Sequence, residues 1–158
     1  MKTLIVYGTR YGATEKAAHM LAGRIHGEIR QINLAKGSAP SPADYDLVLV
    51  GGSVYAGSIQ KEVVQFCTAN RHLLLRKPLG LFVCCGEEHK AREYLQNALG
   101  ADLVARALAL GSFGYEFDYS KMNILFRLIV RVISKTGKSE FNLREEAIRD
   151  FAAQLPKS

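Results

Sequence analysis

The sequence predicts a three-layer α/β fold built on a five-stranded parallel sheet of order 2-1-3-4-5, and three observations carry that prediction. Short buried-type strands alternate with helical patterns, which implies parallel pairing through right-handed crossovers. The most continuous apolar run, DLVLVG from Asp46 to Gly51, has the character of a central strand covered on both faces. Its place in the series fits the doubly wound order, in which the chain reverses direction between strands one and three.

The elements follow in order. Thr3 to Tyr7 is the first strand. Ala13 to about Ile25 is a helix, with Ala17, Met20, Leu21 and Ile25 at helical spacing. Glu28 to Leu34 alternates as a second strand, and Ser38 to Pro42 is a loop. After the DLVLVG strand come a helix from about Gln60 to Asn70, a fourth strand GLFVCC from Gly80 to Cys85, a helix from about His89 to Leu99, and a fifth strand near Val104 to Ser112. No internal repeat or low-complexity segment interrupts the series, so residues 1 to 158 read as a single domain.

Composition limits the function classes. A chain of 158 residues with 48% hydrophobic and 23% charged residues is expected to bury a real core. The N-terminus enters a strand directly, without the basic and apolar regions of a leader, and no apolar run of about 18 residues occurs. A cytoplasmic location is expected. Three cysteines cannot form an even disulfide framework, no Cys or His pair has zinc-ligand spacing, and the thiols of Cys84 and Cys85 are expected to be reduced and buried in their strand. The four histidines form no constellation and are expected at the surface. Net charge is +6, and between Tyr119 and Ser139 five cations, Lys121, Arg127, Arg131, Lys135 and Lys138, occur with no acid. That segment points to a local anionic partner, and nucleic acid is not the one expected.

Two breaks in the pattern point to a ligand. Within TLIVYGTRYGATEKAA, residues 3 to 18, the turn spends Gly8, Thr9, Tyr11, Gly12 and Thr14 on entering a helix. Unpaired N–H groups and the positive dipole end at a helix N-terminus favour a phosphate, with the hydroxyls of Thr9 and Thr14 adding donors. Neither a Walker loop nor a GxGxxG fingerprint is present, so one terminal phosphate is the expected guest. The second break, Gly51-Gly52-Ser53-Val54-Tyr55-Ala56-Gly57-Ser58, follows the central strand across the switch point. Its glycines admit a planar ligand close to the backbone, and Tyr55 can stack on a ring. A third turn, Cys85-Gly86-Glu87, ends strand four beside it.

A strand, a Thr-x-x-Gly-x-Thr turn, a helix, a Gly-Gly-Ser turn with an aromatic and a strand-four loop together resemble a flavodoxin-type FMN domain, over residues 1 to about 112 and the last helix. The resemblance implies a flavodoxin-like three-layer sandwich with FMN as cofactor. By position, Thr9, Arg10, Tyr11, Gly12, Ala13 and Thr14 would cradle the FMN phosphate. Ser53, Val54, Tyr55, Ala56 and Gly57 would flank the flavin ring, and Cys85, Gly86 and Glu87 would close its other side.

The C-terminal third narrows the resemblance. From Gly111 to Leu155 the layout is similar to the tail of menaquinone-dependent protoporphyrinogen oxidases, with a Tyr-rich turn and a Met- and Ile-rich basic helix before the terminal helix. An extra helix is expected over residues 117 to 137. Asn123, Arg127, Arg131 and Lys135 recur every four residues as one polar stripe, leaving a broad apolar arc. Such an arc suits an anionic membrane surface at the inner face of the cell membrane, a quinone, or a porphyrinogen whose propionates pair with Arg127, Arg131 and Lys135; completing the core or a homodimer interface is the other reading. Family members carry a long insertion after the fourth strand, whereas here Cys85 passes almost directly to the helix at His89. The resemblance implies an enzyme in which FMN passes electrons from a porphyrinogen-like donor to a quinone. The alternative is an electron-transfer protein that docks with a redox partner protein and has no substrate of its own. No nucleophile or acid/base pair stands out, so catalytic chemistry is expected to belong to the cofactor.

Overall fold

The computed structural model describes residues 1–117, 128 and 140–157. Five parallel strands, β1 (Lys2–Tyr7), β2 (Glu28–Asn33), β3 (Leu47–Ser53), β4 (Leu79–Cys84) and β5 (Ala109–Ser112), lie in the order β2-β1-β3-β4-β5. The expected sheet order is therefore observed. β3 is central, and six of its residues, Leu47 to Gly52, are buried. Edge strand β2 keeps its alternating character, with Glu28 and Arg30 exposed.

Helices cover both faces. On one side, α1 (Ala13–Ala22) and α6 (Glu145–Ala153) bury Ala17, Ala18, Leu21, Ile148 and Phe151 against Ile5, Leu49 and Phe82. The rings of Phe82, Phe113 and Phe151 meet at 4.8 to 6.0 Å, one pair stacked and two edge-on, arrangements that add about 0.5–1.5 kcal/mol per pair beyond burial. Gly51 makes room for them, since a methyl group there would overlap the Phe82 ring. On the other side, α2 (Lys61–Ala69), α3 (Arg71–Leu74), α4 (Ala91–Leu99) and α5 (Ala101–Arg106) contribute Val63, Phe66, Leu74, Leu95 and Leu103.

The structure corrects three boundaries. The first helix stops at Ala22, capped through the Gly23 N–H, so Ile25 lies beyond it. Val104 is helical, and strand five begins only at Ala109. Gly100 explains this: at φ +100° it ends α4 and restarts the chain as α5, so the apolar Leu103 and Val104 face the core from a helix. Third, Phe117 belongs to a strand, not to the start of a helix. β6 (Gly114–Phe117) pairs antiparallel with β7 (Glu140–Leu143) as a two-stranded ribbon beside the main sheet, with Phe117 opposite Glu140. The rest of the expected helix at 117 to 137 lies outside the described residues, apart from Leu128, which is helical and 54% exposed. All four histidines are exposed, as expected. No helix among the described residues is long and apolar enough to cross a membrane.

Candidate functional site

The parallel register brings the carboxyl ends of the strands level: Tyr7 pairs with Gly51, Ser53 with Cys84, and Val83 with Ser112. The turns after β1, β3 and β4 therefore open at one edge of the sheet, and the crevice lies where the winding reverses. A shallow cleft opens there, lined by Thr9, Arg10, Tyr11 and Ala13 from the first turn and by Ser53, Val54 and Tyr55 from the second. Cys84 at the end of β4, Cys85 and Gly86 of the third turn, and Tyr115 of β6 complete the lining.

The first turn has the features of an anion site. Gly12 stands at φ +97° as the helix N-cap, a conformation that carries the chain into α1 without a side-chain clash. Thr9 Oγ1 accepts the Gly12 N–H at 2.9 Å and holds the turn closed. Helix geometry leaves the N–H groups of Ala13, Thr14 and Glu15 without intrahelical acceptors. Thr14 is fully buried, yet its Oγ1 has no hydrogen-bond partner. A buried hydroxyl left unsatisfied beside free helix N–H groups fits a phosphate, which supplies the missing acceptor. Behind the turn, the Tyr7 hydroxyl donates to Glu15 at 3.1 Å, and burial, then that bond, pushes its pKa up to about 12.

The second turn is a two-residue hairpin. Tyr55 N–H donates to Ser58 O at 2.8 Å and Ser58 N–H to Tyr55 O at 2.9 Å, with Ala56 at φ +47° and Gly57 at φ +78° between them. Two central residues at positive φ are the mark of a type I′ turn. Ala56 and Gly57 are exposed at its tip, away from the cleft lining that Ser53, Val54 and Tyr55 provide. Gln60 holds its base: Ser53 N–H donates to Gln60 Oε1 at 3.0 Å, and Gln60 Nε2 donates to Ser53 Oγ at 2.6 Å. The same side chain fills the space beside Gly8, so it packs between the first and second turns.

Arg10 links those turns as well. Its guanidinium lies 4.5 Å from the centre of the Tyr55 ring and 5.8 Å from that of Tyr11, and its Nε donates to the Tyr11 hydroxyl at 3.4 Å. Where β4 meets the third turn, Cys84 and Cys85 point to opposite faces of the sheet, as successive extended residues must. Neither forms a disulfide and both are buried, as expected. The Cys85 thiol donates to Glu87 O at 3.5 Å and lies 3.6 Å from Ser112 Oγ. Burial pushes its pKa up, against the lowering effect of those bonds. Glu87 turns away from the cleft, bonded to the Tyr94 hydroxyl at 2.6 Å and to Lys90 at 3.2 Å, and these contacts hold its carboxyl below the usual range.

Tyr115 was not foreseen. It lines the cleft, and its ring lies against Gly86, where an added methyl group would meet it at 3.7 Å. The turn after strand four offers glycine where a ring wall would stand, and the ribbon brings a tyrosine to cover it. Gln60 was also missed. Among the described residues, no group of His, Cys, Asp or Glu could hold a metal ion. Arg127, Arg131 and Lys135 lie outside the described residues.

Comparison with known proteins agrees with this fold. The solved flavodoxin 1 from Bacillus cereus is similar over 98% of this chain and 96% of its own, at 19% identity and a TM-score of 0.59. Rubredoxin oxygen:oxidoreductase from Desulfovibrio gigas matches 97% of this chain at 15% identity and a TM-score of 0.56, and this chain spans only 36% of its length. A flavoprotein from Lactobacillus acidophilus NCFM, solved in complex with FMN, matches 72% of this chain and 91% of its own at 19% identity, with a TM-score of 0.51. At these identities the likeness is one of fold. The Flavodoxin domain model matches residues 4–143, and on that match this chain belongs to the flavodoxin domain family.

Proposed function

We propose that this chain is an FMN-dependent redox protein that holds the cofactor in the cleft at the carboxyl edge of the sheet. The observation that carries the reading is the unsatisfied Thr14 hydroxyl, buried at a helix N-terminus beneath a cleft walled by tyrosines. FMN matches it in two parts. Its phosphate would take the N–H groups of Ala13, Thr14 and Glu15 and the Thr14 hydroxyl, while its ring would lie against Tyr55 and Tyr115. Gly12 keeps the turn open, Ala56 and Gly57 fold the hairpin that presents Tyr55, and the backbone of Cys85, Gly86 and Glu87 borders the ring edge. Bound FMN supplies the one- and two-electron chemistry. The protein orients the ring, shields one side from water and sets the charge around it.

The specific activity we propose is quinone-linked oxidation of a porphyrinogen-like donor. Two features support it. The segment from Tyr119 to Ser139 carries five cations and no acid, and its flanking strands β6 and β7 pair beside the cleft, with Tyr115 of β6 in the cleft wall. A basic segment rooted there suits propionates or an anionic membrane that holds the quinone, with Arg127, Arg131 and Lys135 as the contacts. The second reading is an electron carrier serving a redox partner protein, favoured by the end-to-end match to a flavodoxin of similar length.

An anaerobic assay separates them. FMN-loaded protein is mixed with protoporphyrinogen, with and without a menaquinone analogue. Turnover that requires the quinone supports the enzyme; no turnover with either donor or acceptor leaves the carrier reading.

A further inference from the structure

Arg10 belongs by sequence to the phosphate turn, yet its charged end does not stay there. The side chain crosses to the second turn and lays its guanidinium 4.5 Å from the Tyr55 ring centre, anchored by the Tyr11 hydroxyl. Among the described residues it has no carboxylate partner. The acids that follow the first and third turns in sequence are paired elsewhere: Glu87 with Lys90 and Tyr94, Glu88 with Arg144, and Glu15 with Tyr7 and Lys36. The phosphate turn, for its part, offers a full set of donors from backbone N–H groups and Thr14. A cation held on an aromatic face keeps its charge while losing much of its freedom.

We propose that Arg10 serves the ring of the bound cofactor and not its phosphate, as a positioning residue that acts through Tyr55 and stabilises the reduced, anionic ring. The proposal rests on the FMN reading above. Reduction by two electrons from a donor such as dithionite, with uptake of one proton, leaves one negative charge on the ring system. A ring stacked on Tyr55 lies within a Debye length, about 10 Å at ordinary ionic strength, of the guanidinium. The positive charge then favours the reduced ring over the neutral oxidised one and raises the two-electron midpoint potential. Because Arg10 is exposed, water and salt weaken the effect without abolishing it.

The test compares the full chain with Arg10→Gln and Arg10→Lys in three measurements: affinity for FMN, affinity for riboflavin, and midpoint potential by dye-equilibrium titration. In Arg10→Gln the FMN-to-riboflavin affinity ratio should stay within about twofold of the parent. Its preference for reduced over oxidised ring should fall about fivefold, which is ~20 mV for a two-electron couple. Arg10→Lys should recover part of that shift, and about 1 M salt should shrink it. A tenfold fall in the FMN-to-riboflavin ratio in Arg10→Gln would make Arg10 a phosphate ligand and overturn the proposal. An unchanged potential would overturn it equally. Failure of the unsubstituted chain to bind FMN would remove the FMN reading itself, and this proposal with it.

Discussion

Gln60 does more at the site than its place at the head of α2 implies, because one amide meets both the backbone N–H and the hydroxyl of Ser53 and fills the gap beside Gly8. Gln60→Leu keeps most of the volume but leaves a partly buried N–H without a partner, a loss of about 1–3 kcal/mol. The Ser53 amide should then exchange with solvent at least about fivefold faster, and FMN affinity should fall with it. Unchanged exchange, followed by NMR, would show that the second turn does not depend on Gln60. At this scale the sequence exposes residues whose role is local. Thr9, Gly12 and Thr14 were legible because hydroxyls and glycines cluster before a helix, and Tyr55 because it stands among turn residues. Gln60 and Tyr115 were not legible, since each acts on a segment that only the folded chain brings near.

The second turn stores strain at an identifiable point. Ala56 occupies φ +47° in a type I′ hairpin, a conformation that costs a residue with a Cβ about 1 kcal/mol and that Asn adopts more readily. Ala56→Asn should therefore raise stability by about 0.5–1 kcal/mol, read as a higher urea midpoint with an unchanged slope. A lower midpoint would mean that the hairpin does not keep this geometry in solution. Elements with a full hydrophobic signature were placed correctly from sequence, β3 most clearly. Val104 was misplaced because a short apolar stretch suits either a strand or a helix facing the core, and the deciding residue, Gly100, lies upstream of it. The β6–β7 ribbon was missed for another reason: its strands are separated in sequence by residues 118 to 139, and no local turn signal joins them.

At the scale of the molecule, Cys67 and Tyr7 are buried acids that resist ionisation, and both shape its response to alkali. Burial pushes Cys67 up to about 12, and burial with the Glu15 bond pushes Tyr7 up to about 12, against ordinary values of 9.0 and 10.0. Both folded-state values are raised, so their contribution is complete below the unfolded values and is lost as pH rises through about 9 to 12. Stability should fall over that window, and Tyr7→Phe should flatten the part above pH 10 by about 2 kcal/mol. An equal slope in the variant, measured by urea unfolding at stepped pH, would place the alkaline loss elsewhere. At this scale the fold was legible almost entirely, because a doubly wound sheet follows from the alternation of strands and helices, and its switch point locates the cleft. The chemistry of donor and acceptor was not, because it depends on what docks at the cleft rather than on what forms it. The central claim is that this cleft holds FMN by its phosphate, and paired titrations with FMN and riboflavin test it most directly. The parent chain should bind FMN much more tightly than riboflavin, and Thr14→Val should weaken FMN about tenfold or more while leaving riboflavin unchanged. Equal affinity of the parent chain for the two flavins would contradict the claim.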